Sequence, residues 1–120
     1  MIKITRKKKD TRKYQPRNEI RYNYSPSSAG HPDQVFGYKN GKYKSLGLTH
    51  TPKKDKKSTL LNHNPDPNDK KPSYIQHKVK TTQERYMSDP IQNWSIHKDD
   101  RYIIRHITKQ YKKHQNKKRR

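Results

Sequence analysis

The sequence predicts a small α+β domain: a curled, barrel-like antiparallel sheet with one packed C-terminal helix, flanked by flexible basic arms. Three observations predict it. Asn40-Gly41, set between Tyr38-Lys39 and Lys42-Tyr43, has the composition of a two-residue type I′ hairpin turn. Ser73–Lys80 alternates, with Ile75, His77 and Val79 on one side and Tyr74, Gln76 and Lys78 on the other, the period of a half-buried strand. Ile103, Ile104, Ile107 and Tyr111 fall at i, i+1, i+4 and i+8, an apolar stripe of helical period that would dock on a sheet.

The elements follow in order. Residues 1–29 read as a basic arm, with Pro16, Pro26 and a Ser25-Pro26-Ser27-Ser28 turn cluster. Within it Ile20, Tyr22 and Tyr24 alternate with polar residues, so Ile20–Tyr24 is either a short extended piece or an ordered edge strand. The domain proper spans residues 30–111 and begins with a hairpin over Gln34–His50. If Asn40-Gly41 is the turn, Tyr38 faces Tyr43, Phe36 faces Ser45 and Val35 faces Leu46. That register puts Phe36, Tyr38 and Tyr43 on one face, and Val35, Leu46, Leu48 and His50 on the other. Thr51–Pro72 is a long connection, rich in lysine at Lys53–Lys57 and in turn formers at Asn64–Asp69, with Leu60-Leu61 as its anchor. After the Ser73–Lys80 strand, a helix over Lys98–Gln115 takes Ser95 as N-cap and Asp99-Asp100 near its positive end. Residues 112–120 form a basic tail.

Length and composition set the frame. One hundred and twenty residues hold one domain. With 24% hydrophobic and 34% charged residues the chain lies near the composition of disordered proteins, so its core must be small and built from the nine tyrosines and Trp94. Cysteine is absent, which excludes disulfides and Cys-based zinc sites. No stretch is apolar enough for a signal peptide or a membrane span, and the chain reads as cytoplasmic.

Charge points to the partner. Thirty-one Lys and Arg against ten acids give a formal net charge of +21, and residues 1–24 and 101–120 carry +16 of it. Such a field attracts polyanions and gains from counterion release. Nucleic acid is the expected partner, RNA preferred; an acidic protein or an RNA antitoxin would also suit the charge, and the sheet edges leave room for a homodimer. Lysine outnumbers arginine, which argues against bidentate base readout.

Two chemistries are open to these residues. Metal-independent RNA cleavage needs a base, an acid and a cation at the phosphorane. His50 and His77 are the candidate acid–base pair and Lys44 the cation, with His31 at the domain entry and Thr49, Ser73 and Tyr74 placed to orient a phosphate. The bland alternative makes the histidines solvated and Tyr74 and His77 packing residues. Plain nucleic-acid binding is the second chemistry: Tyr38, Tyr43 and Phe36 would form a stacking platform, rimmed by Lys39, Lys42, Lys44 and Lys78. Against that, a small core needs those same aromatics. The seven histidines are scattered with no HExxH pairing and acids are few, so no metal site and no cofactor is expected.

The run His31-Pro32, Tyr43-Lys44-Ser45-Leu46-Gly47-Leu48-Thr49-His50, Asn64-Pro65 and Ser73-Tyr74-Ile75 resembles small basic proteins of bacterial and phage genomes. More distantly it is similar to compact endoribonuclease toxins, the PemK/MazF-like barrels or the barnase–RelE-like group. The resemblance covers about His31–His97. It implies a β-rich sheet with a packed helix and an RNA substrate, and it assigns no catalytic residue. The expected function is therefore RNA binding with metal-independent endoribonuclease activity, of toxin or mobile-element type. The alternatives are a non-catalytic RNA-binding accessory (ribosome-associated or packaging) or a structural phage component.

Overall fold

A computed structural model describes residues 19–118; the basic runs of residues 1–18 and the final Arg119-Arg120 lie outside the described residues. Five strands, β1 (Glu19–Asn23), β2 (His31–Lys39), β3 (Lys42–Thr49), β4 (Ser58–Leu60) and β5 (Tyr74–Gln83), form one antiparallel sheet in the order β1-β2-β3-β5-β4. One helix, α1 (Arg101–Lys118), follows a 3-10 turn at Lys98–Asp100. The fold is α+β. With β1 and β4 at its two ends, the sheet is open rather than closed into a barrel.

The hairpin turn forms where the sequence places it. Asn40 and Gly41 both take positive φ, 53° and 77°, as a type I′ turn requires, and Tyr38 pairs with Tyr43. Below the turn the expected register is wrong by one residue. A bulge between Val35 and Gly37 leaves Phe36 unpaired, so Val35 meets Ser45 and Gln34 meets Leu46. Phe36 thereby leaves the face of Tyr38 and Tyr43 and packs edge-on against Tyr111 of the helix, 6.3 Å between ring centroids.

Pairing and capping fix the ends of the other elements. Of the two readings of Ile20–Tyr24, the edge strand holds: Glu19–Asn23 pairs with β2. Its outer edge is covered in turn, because Tyr24 N donates to Tyr86 O, Ser88 N to Tyr22 O and Ile91 N to Ile20 O. The connection between β3 and β5 contains β4, whose Ser58, Thr59 and Leu60 pair with Gln76, Ile75 and Tyr74. At the helix start, His97 rather than Ser95 is the cap: its Nδ1 accepts from Asp99 N at 3.1 Å. The helix runs on to Lys118, through most of the stretch read as a tail.

One face of the sheet packs against α1. Ile20, Leu46, Leu48, Leu61, Ile75 and Ile96 meet Ile103, Ile104 and Ile107, with Phe36, Val79, Ile91 and Trp94 at the margin. Burying an aliphatic side chain of this size contributes roughly 1.5–3 kcal/mol. The opposite face holds a smaller cluster of Val35, Tyr43 and Met87 with Tyr38 packed on it. Beside it lies a polar network around Asp33, which has no exposure. Its Oδ2 accepts from Asn23 Nδ2 at 2.9 Å and Ser45 Oγ at 2.8 Å, and its Oδ1 lies 3.2 Å from Lys80 Nζ. Lys80 also reaches Ser28 Oγ, and Asn23 donates to Thr82 Oγ1. Gly47 on β3 leaves room for two β5 side chains beside this network: a Cβ there would displace Gln76 Oε1 and crowd Lys80 Nζ.

Candidate nucleic-acid interface

The apolar stripe of α1 fixes which way its other residues face. With Ile103, Ile104 and Ile107 buried, Arg101, Tyr102, Arg105, His106, Lys109, Lys112 and Lys113 are exposed. Residues three and four apart share a helix face, so Arg101, Arg105, Lys109 and Lys112 form one stripe about 16 Å long. The helix carries seven Lys and Arg and no acid. Its second half lies over the hairpin, where Lys44 Nζ sits 5.9 Å from the centroid of the Tyr111 ring and donates to Thr81 Oγ1. Lys39 and Lys42, both exposed, flank the hairpin turn at that end. Sequence reasoning named these three lysines and missed the helix stripe, although its 3.6 period was there to read.

Acids that offset this charge are partly withdrawn from the surface. Asp33 and Asp100 are fully buried. Asp100 binds the loop after β4, accepting from Asn62 N and Nδ2 and from His63 N at 2.8–2.9 Å. Glu84 accepts from the Tyr38 hydroxyl and Glu19 pairs with Arg21.

The aromatic platform does not assemble. Tyr43 is 2% exposed, packed under Tyr38 at 4.8 Å with the Arg21 guanidinium 4.8 Å from its ring centroid, and Phe36 is on the helix side of the sheet. Stacking a base on Tyr43 would require opening the core. Lys78 lies apart, beside Ser25 and Ser27 on a groove of the other face.

The proposed catalytic set divides in two. Thr49, His50 and Ser73 line a pocket of about 350 Å³ at the end of the sheet, together with His31, Asp69 and Trp94. There His50 Nδ1 is 2.8 Å from Pro72 O and its Nε2 is 3.1 Å from Asp69 Oδ2. One ring nitrogen thus faces a carbonyl and the other a carboxylate, and both hold His50 at the pocket rim. The Lys71 N–H donating to Asp69 holds that carboxyl below its ordinary value; burial opposes this and the charge of His50 adds to it. His77 is elsewhere. Thr49 pairs with Tyr74, so His50 lies one residue beyond that pair and four positions from His77, roughly 13 Å along the strand. His77 Nε2 is 2.7 Å from Thr59 Oγ1. Burial pushes its imidazole down, and the charges of Lys57 and His106 act in the same direction. Tyr74, half-buried, pairs through its backbone with Thr49 and Leu60. Lys44 is at the hairpin end.

One cluster was invisible in the sequence. His63, His97 and Asp99, far apart or unremarkable along the chain, offer ligand atoms that all lie within 4.8 Å of one another. No helix among the described residues is long and apolar enough to cross a membrane. No family model matches the chain, and no curated protein or solved structure matches it.

Proposed function

We propose that this protein binds nucleic acid, RNA in preference, along the outer face of α1 and the lysines of the hairpin tip, as a binding accessory rather than a nuclease. One observation carries the reading: an eighteen-residue helix with seven Lys and Arg and no acid turns its apolar stripe to the core and Arg101, Arg105, Lys109, Lys112 and Lys113 to solvent. A stripe of ammonium and guanidinium groups at helical spacing matches a phosphate backbone and needs no base-specific contact. The separation of His50 from His77, each with other partners, favours binding over cleavage. Incubation of the full chain with labelled single-stranded RNA in EDTA tests both parts. A salt-sensitive mobility shift with intact RNA is expected. Absence of a shift at low salt would overturn the binding claim, and cleavage at defined sites would restore the nuclease.

A further inference from the structure

We infer that His63, His97 and Asp99 form a site for a single divalent transition-metal ion of the zinc type, which pins the loop after β4 to the start of α1. The spacing is the first reason. Asp99 Oδ2 lies 3.1 Å from His63 Nε2 and 3.4 Å from His97 Nδ1, and the imidazole rings stack at 3.8 Å between centroids. In a tetrahedral zinc site, with Zn–N and Zn–O near 2.0–2.2 Å, neighbouring ligand atoms stand about 3.3 Å apart. The donor set is the second reason. Two imidazoles and one carboxylate suit zinc, copper or nickel, whereas magnesium and calcium take oxygen ligands.

The third reason is that the backbone beneath the site is already fixed. The buried Asp100 carboxylate accepts from His63 N and from Asn62, so it ties the segment carrying His63 to the residue next to Asp99. His97 caps the turn that presents Asp99. His63 and Asp99 are therefore anchored by contacts that remain when an ion binds, whereas His97 Nδ1 must turn away from Asp99 N to face the ion. Three protein ligands leave a fourth position for water. With no cysteine for a disulfide and a small core, a cross-link between the β4 loop and the helix would stabilise the domain where it otherwise rests on Asp100.

The test uses the full chain, freed of metal with EDTA and then titrated calorimetrically with zinc chloride. One saturable site is expected. His63→Ala, His97→Ala and Asp99→Asn should each weaken it at least tenfold, while His114→Ala, on the far half of the helix, should bind as the parent does. At a hundredfold excess of zinc over Kd the melting temperature should rise by roughly 10 °C, and equal magnesium should leave it unchanged. The ligand side chains are largely exposed, so these variants keep their fold, which circular dichroism checks. Absence of saturable binding up to about 1 mM zinc would overturn the inference. Equal zinc affinity in the parent, His63→Ala and His97→Ala would do the same, as would a magnesium response matching that of zinc.

Discussion

Removing the cation from the Asp33 network exposes how much of this small fold depends on buried polar contacts. In Lys80→Met the Asp33 carboxylate keeps Asn23 Nδ2 and Ser45 Oγ as donors and loses its charged partner at 3.2 Å. The Asp33 side chain is fully buried and that of Lys80 26% exposed, so the pair lies between a surface ion pair, at about 0–1 kcal/mol, and a fully buried one, whose disruption costs about 3–5 kcal/mol. A loss of about 3 kcal/mol is expected. Asp33→Ala should cost a similar amount by another route. There Lys80 can turn to Ser28 and solvent and Asn23 keeps Thr82, but the Ser45 hydroxyl is stranded, at about 1–3 kcal/mol, and the remaining charged hydrogen bonds are lost. Asp33→Asn, which keeps an acceptor, should cost less than either. Against the 5–15 kcal/mol typical of whole domains, and with about 4–8 °C of melting temperature per kcal/mol, the first two variants should melt more than 10 °C early. Urea unfolding followed by the fluorescence of Trp94 reads this directly. Parent-like midpoints for both Lys80→Met and Asp33→Ala would refute the reasoning, since they would mean that the buried pair contributes no net stability.

Other outcomes follow from single contacts. His77 is held down from its ordinary value of 6.5 by burial, so the unfolded chain takes up a proton there before the folded one does. Stability should therefore fall as pH drops below 6.5 toward the folded value, and His77→Gln should flatten that part of a pH–stability curve; an unchanged curve would remove burial as the cause. Asp69 is held below 3.8, chiefly by the Lys71 N–H, so its contact with His50 should persist to acid pH and be lost only as pH falls through the lowered value. Asp69→Asn should remove that acid step from a titration of the His50 ring by NMR. Gly41 sits at φ 77° in the hairpin turn, and Gly41→Val should cost about 1–2 kcal/mol by chemical denaturation, whereas the exposed Lys42→Ala should be near neutral.

What could be read from the sequence was local. Asn40-Gly41 specifies its turn through the φ > 0 that both positions tolerate, and the isoleucines of α1 declare their stripe because the helix buries one side only. The register below the turn was not legible, since nothing in Val35-Phe36-Gly37 signals that one residue is left unpaired; the bulge is settled by Phe36 finding Tyr111 across the molecule. β1 was legible as one of two readings of Ile20–Tyr24 and no further, because both its faces are covered, with Ile20 under the helix and Asn23 in the Asp33 network. β4 is three residues long and has no pattern to detect. For the site, residue types suggested a constellation, but His50 and His77 lie on different parts of the sheet, whereas His63 and His97, thirty-four positions apart in the chain, stack on one another. Long-range pairing decides such neighbours, and it leaves no local trace.

The most direct test of RNA binding by α1 is the salt dependence of affinity for a short single-stranded RNA, measured by fluorescence anisotropy on the parent and on an Arg101→Glu, Arg105→Glu, Lys109→Glu variant whose helix content is checked by circular dichroism. Each phosphate contact adds about 0.7 to the slope of log K against log salt for a single strand, so loss of three contacts should lower the slope by about 2 and weaken binding at low salt by orders of magnitude. An equal slope and equal affinity in a folded variant would contradict the assignment of the interface to this helix.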